Sequence, residues 1–178
     1  MTTLSIRPAR PADIPAITAI YAHAVLHGTA SWEIEPPDEA EMLRRQEAIL
    51  AGGYPYLVAE RDKALLGYAY AGAYRPRPAY RATVENSIYV APAAQGSGVG
   101  AALLAALIEA CTARGFRQMI AVIGDGTGAS VSSRRLHERA GFRLIGVAEK
   151  VGYKHGRWLD QMLMQKELGE ADSAPPVL

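Results

Sequence analysis

The stretch Gln95-Gly96-Ser97-Gly98-Val99-Gly100 limits what this chain can fold into more than any other. It lies between a β-rich run, Thr83 to Val90 (TVENSIYV), and an apolar helical run from Ala101 to Ala113. A strand, a glycine-rich loop and a helix in that order leave backbone N–H groups unpaired at a helix N-terminus. The helix dipole adds partial positive charge there, and glycine lets a ligand approach the backbone closely. The order predicts a ligand that carries phosphates. A P-loop would need Lys and Ser/Thr after the last glycine, where this chain has Ala101-Ala102. Gly96, Gly98 and Ala101 satisfy G-x-G-x-x-A, the dinucleotide-binding pattern. That pattern should follow its strand directly, however, and Ala91 to Gln95 intervene. It also wants an acid at the end of the next strand, about 20 residues on, and Asp125 lies too far along, in a glycine-rich loop.

Bulk properties set the frame. A chain of 178 residues is most simply one domain that buries about two thirds of its unfolded surface. Lys and Arg number 19 against 18 Asp and Glu. So near a balance offers no general attraction for nucleic acid or an anionic membrane. A single cysteine, Cys111, cannot form an internal disulfide and suits a reducing cytoplasm. No apolar run reaches the ~20 residues of a membrane helix, and no signal region opens the chain.

Periodicity divides the chain into strands and helices that mix without strict alternation. A short strand covers Leu4–Arg7. Ile14, Ile17, Tyr21, Ala24 and Val25 share a helical face that ends at His27-Gly28. A loop carrying Trp32 leads to Asp38, which caps a helix running to about Leu50. Tyr56–Glu60 and Leu65–Ala71 form a hairpin turning near Asp62-Lys63. After Thr83–Val90 and the helix from Gly98 to Arg114 come a strand at 117–123, a helix at 130–140, and strands near 142–151 and 158–166. The expected class is α/β with a mixed, mostly antiparallel sheet. One domain spans residues 1–168, and the polar, proline-containing tail at 169–178 is expected to be disordered.

Gln-x-x-Gly-x-Gly after a strand ending in Ile88-Tyr89-Val90 resembles the pyrophosphate loop of the GNAT N-acetyltransferases, which bind acetyl-CoA. The resemblance runs from Ile6 to about Leu168. Tyr74 to Tyr80 (YRPRPAY), Thr83 to Val90, Ala121 to Gly124 (AVIG) and Gly152 to Asp160 (GYKHGRWLD) resemble one branch of that family, the phosphinothricin and methionine sulfone (sulfoximine) acetyltransferases. The resemblance implies a GNAT fold whose sheet is splayed at a central strand, a homodimer, and acetyl-CoA as co-substrate without a metal. It also implies transfer to the α-amino group of a small amino-acid analogue. Another amine (a polyamine, an antibiotic, a peptide N-terminus) is the alternative acceptor, and a non-catalytic acyl-CoA-binding regulator is the alternative class.

The same resemblance implies roles for particular residues. Backbone amides from Gly96 through Ala101, within the loop Gln95, Gly96, Ser97, Gly98, Val99, Gly100, would hold the pyrophosphate. The peptide groups of Ile88, Tyr89 and Val90 would pair with the pantetheine arm. The N–H near Val90, at a bulge, would polarise the thioester carbonyl. Glu85 shares a strand face with Ser87 and Tyr89, opposite Val84, Asn86, Ile88 and Val90. As a carboxylate it can take the proton from an acceptor ammonium, and its alternative is a structural charge. His137 occupies the helical position from which the family protonates the leaving thiolate, with a packing histidine as the alternative. Ser133, one turn earlier, would contact CoA. Arg75, Pro76 and Arg77, with Glu85, Asn86 and Ser87, form the expected acceptor set, arginine being suited to oxyanions; Trp32, Tyr74 and Tyr153 are candidate walls of its pocket, with core or dimer contacts as the alternative. Where the family has an Asn before this helix, the chain reads Gly126-Thr127-Gly128-Ala129-Ser130, and Thr127 or Ser130 is the candidate replacement. Cys111 shares a helical face with Leu104, Leu107 and Ile108 and reads as core. His23 and His27 have i, i+4 metal spacing but no evident third ligand.

Overall fold

The computed structural model describes residues 3–125 and 129–176, with the backbone alone for Ala129 and Ser130. Seven strands form one sheet, in the order β1-β2-β3-β4-β5-β7-β6. These are β1 (Ser5–Pro8), β2 (Tyr56–Arg61), β3 (Ala64–Ala73), β4 (Thr83–Val90), β5 (Gln118–Gly124), β6 (Arg143–Lys154) and β7 (Arg157–Glu167). Only β4 and β5 run parallel; every other neighbouring pair is antiparallel. The helices are α1 (Ile14–His27), α2 (Glu39–Ala51), α3 (Val99–Ala113) and α4 (Ala129–Arg139).

Local chemistry accounts for the boundaries. Asp38 accepts a hydrogen bond from the Glu41 N–H at 2.8 Å, satisfying one of the donors that the start of α2 leaves open. The β2–β3 turn puts both Asp62 and Lys63 at positive φ, 52° and 64°, the backbone twist that matches a two-residue hairpin. Pro11 precedes α1 in a 3-10 turn, where its missing N–H costs nothing.

The sheet separates two cores. On one face Ile14, Ile17 and Val25 of α1 and Met42 of α2 pack on Tyr56, Val58, Tyr68 and Tyr89. On the other, Leu103, Leu104, Leu107 and Cys111 of α3 pack on Ala69, Val84, Met119 and Met164. Cys111 is fully buried, and that burial pushes its thiol up to about 12, which keeps it unreactive. The chain beyond β7 forms turns at 169–173, and Glu170 pairs with Arg117 at 2.9 Å, so this part of the segment expected to be disordered is tied to the domain. No helix among the described residues is long and apolar enough to cross a membrane.

Candidate active site

The site begins where two parallel strands part. β4 pairs with β5 only from Thr83↔Gln118 to Asn86↔Ala121, although β5 continues to Gly124 on its other side. The last half of β4 therefore borders a gap. Its register with β3 is unbroken from Val84 to Val90, so the bulge expected near Val90 is absent and the split arises from β5 turning away. The register also fixes which peptide groups enter the gap. Ala91 N–H donates to the Leu66 carbonyl at 2.8 Å, and Gly67 stands opposite Val90. In an antiparallel ladder this alternation points the N–H and C=O groups of Ile88 and Val90 away from β3, into the gap. Tyr89 pairs with β3 instead, and its ring is buried in the α1/α2 core. Of the three residues named for the pantetheine arm, Ile88 and Val90 turn their peptide groups into the gap and Tyr89 turns its own toward β3.

The glycine loop lies at one end of this gap. Gly96 and Gly98 have φ of 76° and 87°, and Gly98 is the N-cap of α3 in the left-handed conformation. A Cβ at either position would meet nothing within 4 Å, so the loop faces open space. Gln95, Gly96, Gly98, Gly100 and Ala101 line the cleft. Ser97 bonds back to the Ala94 carbonyl at 2.6 Å, and the Val99 side chain is buried in the core. Loop, gap and the loop after α1 enclose a continuous cleft of about 1430 Å³. That exceeds the volume usual for a single small ligand and suits two ligands meeting end to end.

Glu85 stands at the other end, half-buried on the α1/α2 face. Gly72 is its partner on β3 and leaves the space before it open. Burial pushes the Glu85 carboxyl above the usual carboxylate range, and the positive field of Arg75 partly opposes that shift. Ser87, on the same face, stands opposite Tyr70. Arg75 lies over the Tyr74 ring, 4.9 Å from its centre. Arg75, Pro76 and Arg77 are all exposed on the loop before β4 and do not line the cleft; only the charge of Arg75 reaches it.

His137 projects from α4 onto the opposite face and is 3% exposed. Its Nδ1 is 2.8 Å from the Ser133 carbonyl and its Nε2 is 3.1 Å from Asn86 Oδ1. Both partners as placed are acceptors, which a neutral ring cannot satisfy, while the Asn86 amide nitrogen is left with none. Turning the Asn86 amide over resolves both: Nδ1–H donates to Ser133 and Nε2 accepts from Asn86. Burial lowers the His137 pKa, in accord with that neutral ring. Both nitrogens are then occupied, and Ser133 meets His137 through its backbone.

Trp32, a candidate pocket wall in the sequence, lines the cleft from the loop after α1. Glu33 beside it, and Arg135, Arg139 and Lys166 near α4, line it too and escape sequence reasoning. The i, i+4 spacing of Arg135 and Arg139 was a readable signal for a basic helix face; nothing local points Lys166 or Glu33 into the cleft. His23 and His27 lie on the cleft wall with ring centres 4.7 Å apart, and no group of three His, Cys, Asp or Glu suited to a metal occurs among the described residues. Thr127 lies outside the described residues, as does the side chain of Ser130.

A sheet split beside a glycine loop that caps a helix defines a class of acyl-transferring proteins, and the sequence matches the acetyltransferase (GNAT) family over residues 17–142. The chain belongs to that family: it is an acyltransferase with acetyl-CoA as co-substrate. It is 52% identical over 172 residues to a phosphinothricin N-acetyltransferase of Alcaligenes faecalis, across 97% of this chain and 86% of that one. It is 46% identical to an L-methionine sulfoximine/L-methionine sulfone acetyltransferase of Pseudomonas paraeruginosa, across 96% and 98%. Among solved structures it resembles a phosphinothricin acetyltransferase from Sinorhizobium meliloti in complex with acetyl-CoA, with TM-score 0.94 and 51% identity over 98% of this chain and 94% of the other.

Proposed function

We propose that the chain moves an acetyl group from acetyl-CoA to the α-amino group of a small amino-acid analogue of the phosphinothricin, methionine sulfone or methionine sulfoximine type. The observation that carries this reading is Glu85, a carboxyl raised by burial, on the strand whose Val90 and Ile88 peptide groups open into the gap. The glycine loop holds the pyrophosphate and the gap receives the pantetheine arm as an added strand. The acceptor arrives as an ammonium, and Glu85 takes its proton, directly or through water. The freed nitrogen attacks the thioester carbon. Charge on the carbonyl oxygen is met by the Val90 N–H; the C–S bond breaks as the carbonyl re-forms, the nitrogen gives up its second proton to solvent, and the thiolate takes a proton from solvent. His137 holds Asn86 and the cleft wall in this scheme, because Nε2 would have to release Asn86 before it could serve the thiolate.

Arg75 is assigned to the oxygen-rich end of the acceptor. Arg75→Ala should raise the acceptor KM by about 10-fold, the lower end for a charged hydrogen bond because the group is exposed. It should also move the acidic limb of the kcat/KM profile. Glu85 acts deprotonated, Arg75 holds its pKa down, and losing Arg75 lets that pKa rise, so the limb shifts to higher pH. An unmoved limb and an unchanged KM would remove Arg75 from the site. A polycationic acceptor is the second reading, and the arginines before β4 oppose it.

The enzyme acts as a homodimer in this proposal. Val147, Val151, Tyr153 and Trp158 are 50%, 56%, 58% and 61% exposed on the β6–β7 hairpin, an apolar surface suited to a second copy. Light scattering should give twice the 19.1 kDa chain mass; the mass of one chain would contradict it.

A further inference from the structure

The run Gly152 to Asp160 resembles the same branch of the family, yet none of its residues takes part in the chemistry above. Its first half is spent on the loop that follows α1. Lys154 is 4% exposed, and its Nζ donates to the Ser31 carbonyl at 2.7 Å, a bond between residues 123 apart in sequence. Burial lowers the Lys154 pKa, and the charge of Glu33 pulls it back up. His155 Nε2 lies 3.1 Å from the Gly28 carbonyl, where it can only donate. At Gly152 a Cβ would clash with the Trp32 ring, so that ring sits directly against the bare backbone of β6. The α1 side completes the hold. The Tyr21 hydroxyl bonds both Ser31 Oγ, at 2.8 Å, and Glu33 Oε1, at 2.9 Å. Arg45 of α2 pairs with Glu33 at 2.5 Å. The loop is thus fastened at Gly28, Ser31, Trp32 and Glu33, all of which line the cleft that Glu85 also lines.

We propose that Lys154, with Gly152 and His155, is a positioning residue for acceptor recognition: the β6–β7 hairpin clamps the loop after α1 so that Trp32 and Glu33 form the acceptor wall beside Glu85. The proposal rests on the acetyl-transfer reading for the identity of the acceptor. The clamp itself rests on the hydrogen bonds and packing between the hairpin and the loop, so the two can fail separately. Acetyl-CoA meets the gap and the glycine loop, which Lys154 does not touch. Losing the clamp therefore weakens the acceptor and spares the donor.

The test uses the full chain with Trp158→Phe, which leaves Trp32 as the sole tryptophan, since the sequence has two. Lys154→Met keeps the apolar stem and removes the charge. Acrylamide quenching of Trp32 should rise, and KM for methionine sulfone or phosphinothricin should rise by about 10-fold or more, as misplaced positioning groups usually cause. KM for acetyl-CoA should stay as it was. His155→Ala, at an exposed position, should shift both readouts in the same direction by less, and it serves alone if Lys154→Met does not fold. Unchanged quenching overturns the clamp. An equal rise in both KM values overturns the positioning role and leaves a purely structural one. If the unsubstituted chain releases no thiol with either acceptor, the acceptor class is wrong, and quenching still decides the clamp.

Discussion

Glu85→Gln should lower kcat/KM for the acceptor by about 10²-fold or more, the usual scale of general base catalysis. The substitution keeps the shape of the side chain and removes its basicity. Gly72 leaves open space before it on β3, so the amide meets no new clash. The acceptor ammonium then has no carboxylate to take its proton, and only the minor neutral fraction reacts. Because the limiting species is now the free amine, the rate should keep climbing with pH where the parent has levelled off. Acetyl-CoA binding should persist, since the glycine loop and the gap are untouched. Steady-state rates across pH with an equilibrium binding measurement check this. A variant with the parent's rate and profile would make Glu85 a structural charge.

Gly98→Glu should abolish stabilisation by acetyl-CoA. Gly98 holds φ at 87°, a conformation that costs an L-residue about 1–2 kcal/mol. The new carboxylate would stand among the N–H groups at the start of α3, where the ligand's own phosphates should sit. At a ligand concentration 100 times Kd, the parent should gain about 2.7 kcal/mol. For a chain of this size that is a rise in Tm of roughly 5–10 °C, and the variant should gain none. Equal thermal shifts in both proteins would move the phosphate site elsewhere.

Much of the architecture was legible because it is locally encoded. TVENSIYV is rich in β-branched and aromatic residues, and it forms β4 with the expected bounds, Thr83 and Val90. Asp38 and the pair Asp62-Lys63 announce a cap and a turn through chemistry confined to a few residues. The alternation that sets Glu85 and Asn86 on opposite faces follows from the strand period alone. What escaped is non-local. Where β4 leaves β5 depends on residues 83–86 meeting 118–121 and on β7 guiding β5 onward. The bulge implied near Val90 by resemblance is replaced by that divergence. His137 reads as an available acid in the sequence, but its ring is spent on Ser133 and Asn86, the latter 51 residues away. Arg77 reads as a ligand contact and lies exposed, outside the cleft. Trp32 was readable as a pocket wall, but Glu33 was not, because its place is set by Tyr21 and by Arg45 of the following helix.

The central claim is acetyl transfer to the α-amino group of an amino-acid analogue with an oxygen-rich side chain. Its most direct test is thiol release from acetyl-CoA with phosphinothricin, methionine sulfone, methionine sulfoximine and spermidine, each product identified by mass and by its site of acetylation. Release is expected with at least one of the three analogues, acetylated on the α-nitrogen, and little with spermidine. Efficient turnover of spermidine with none of the three analogues would contradict it.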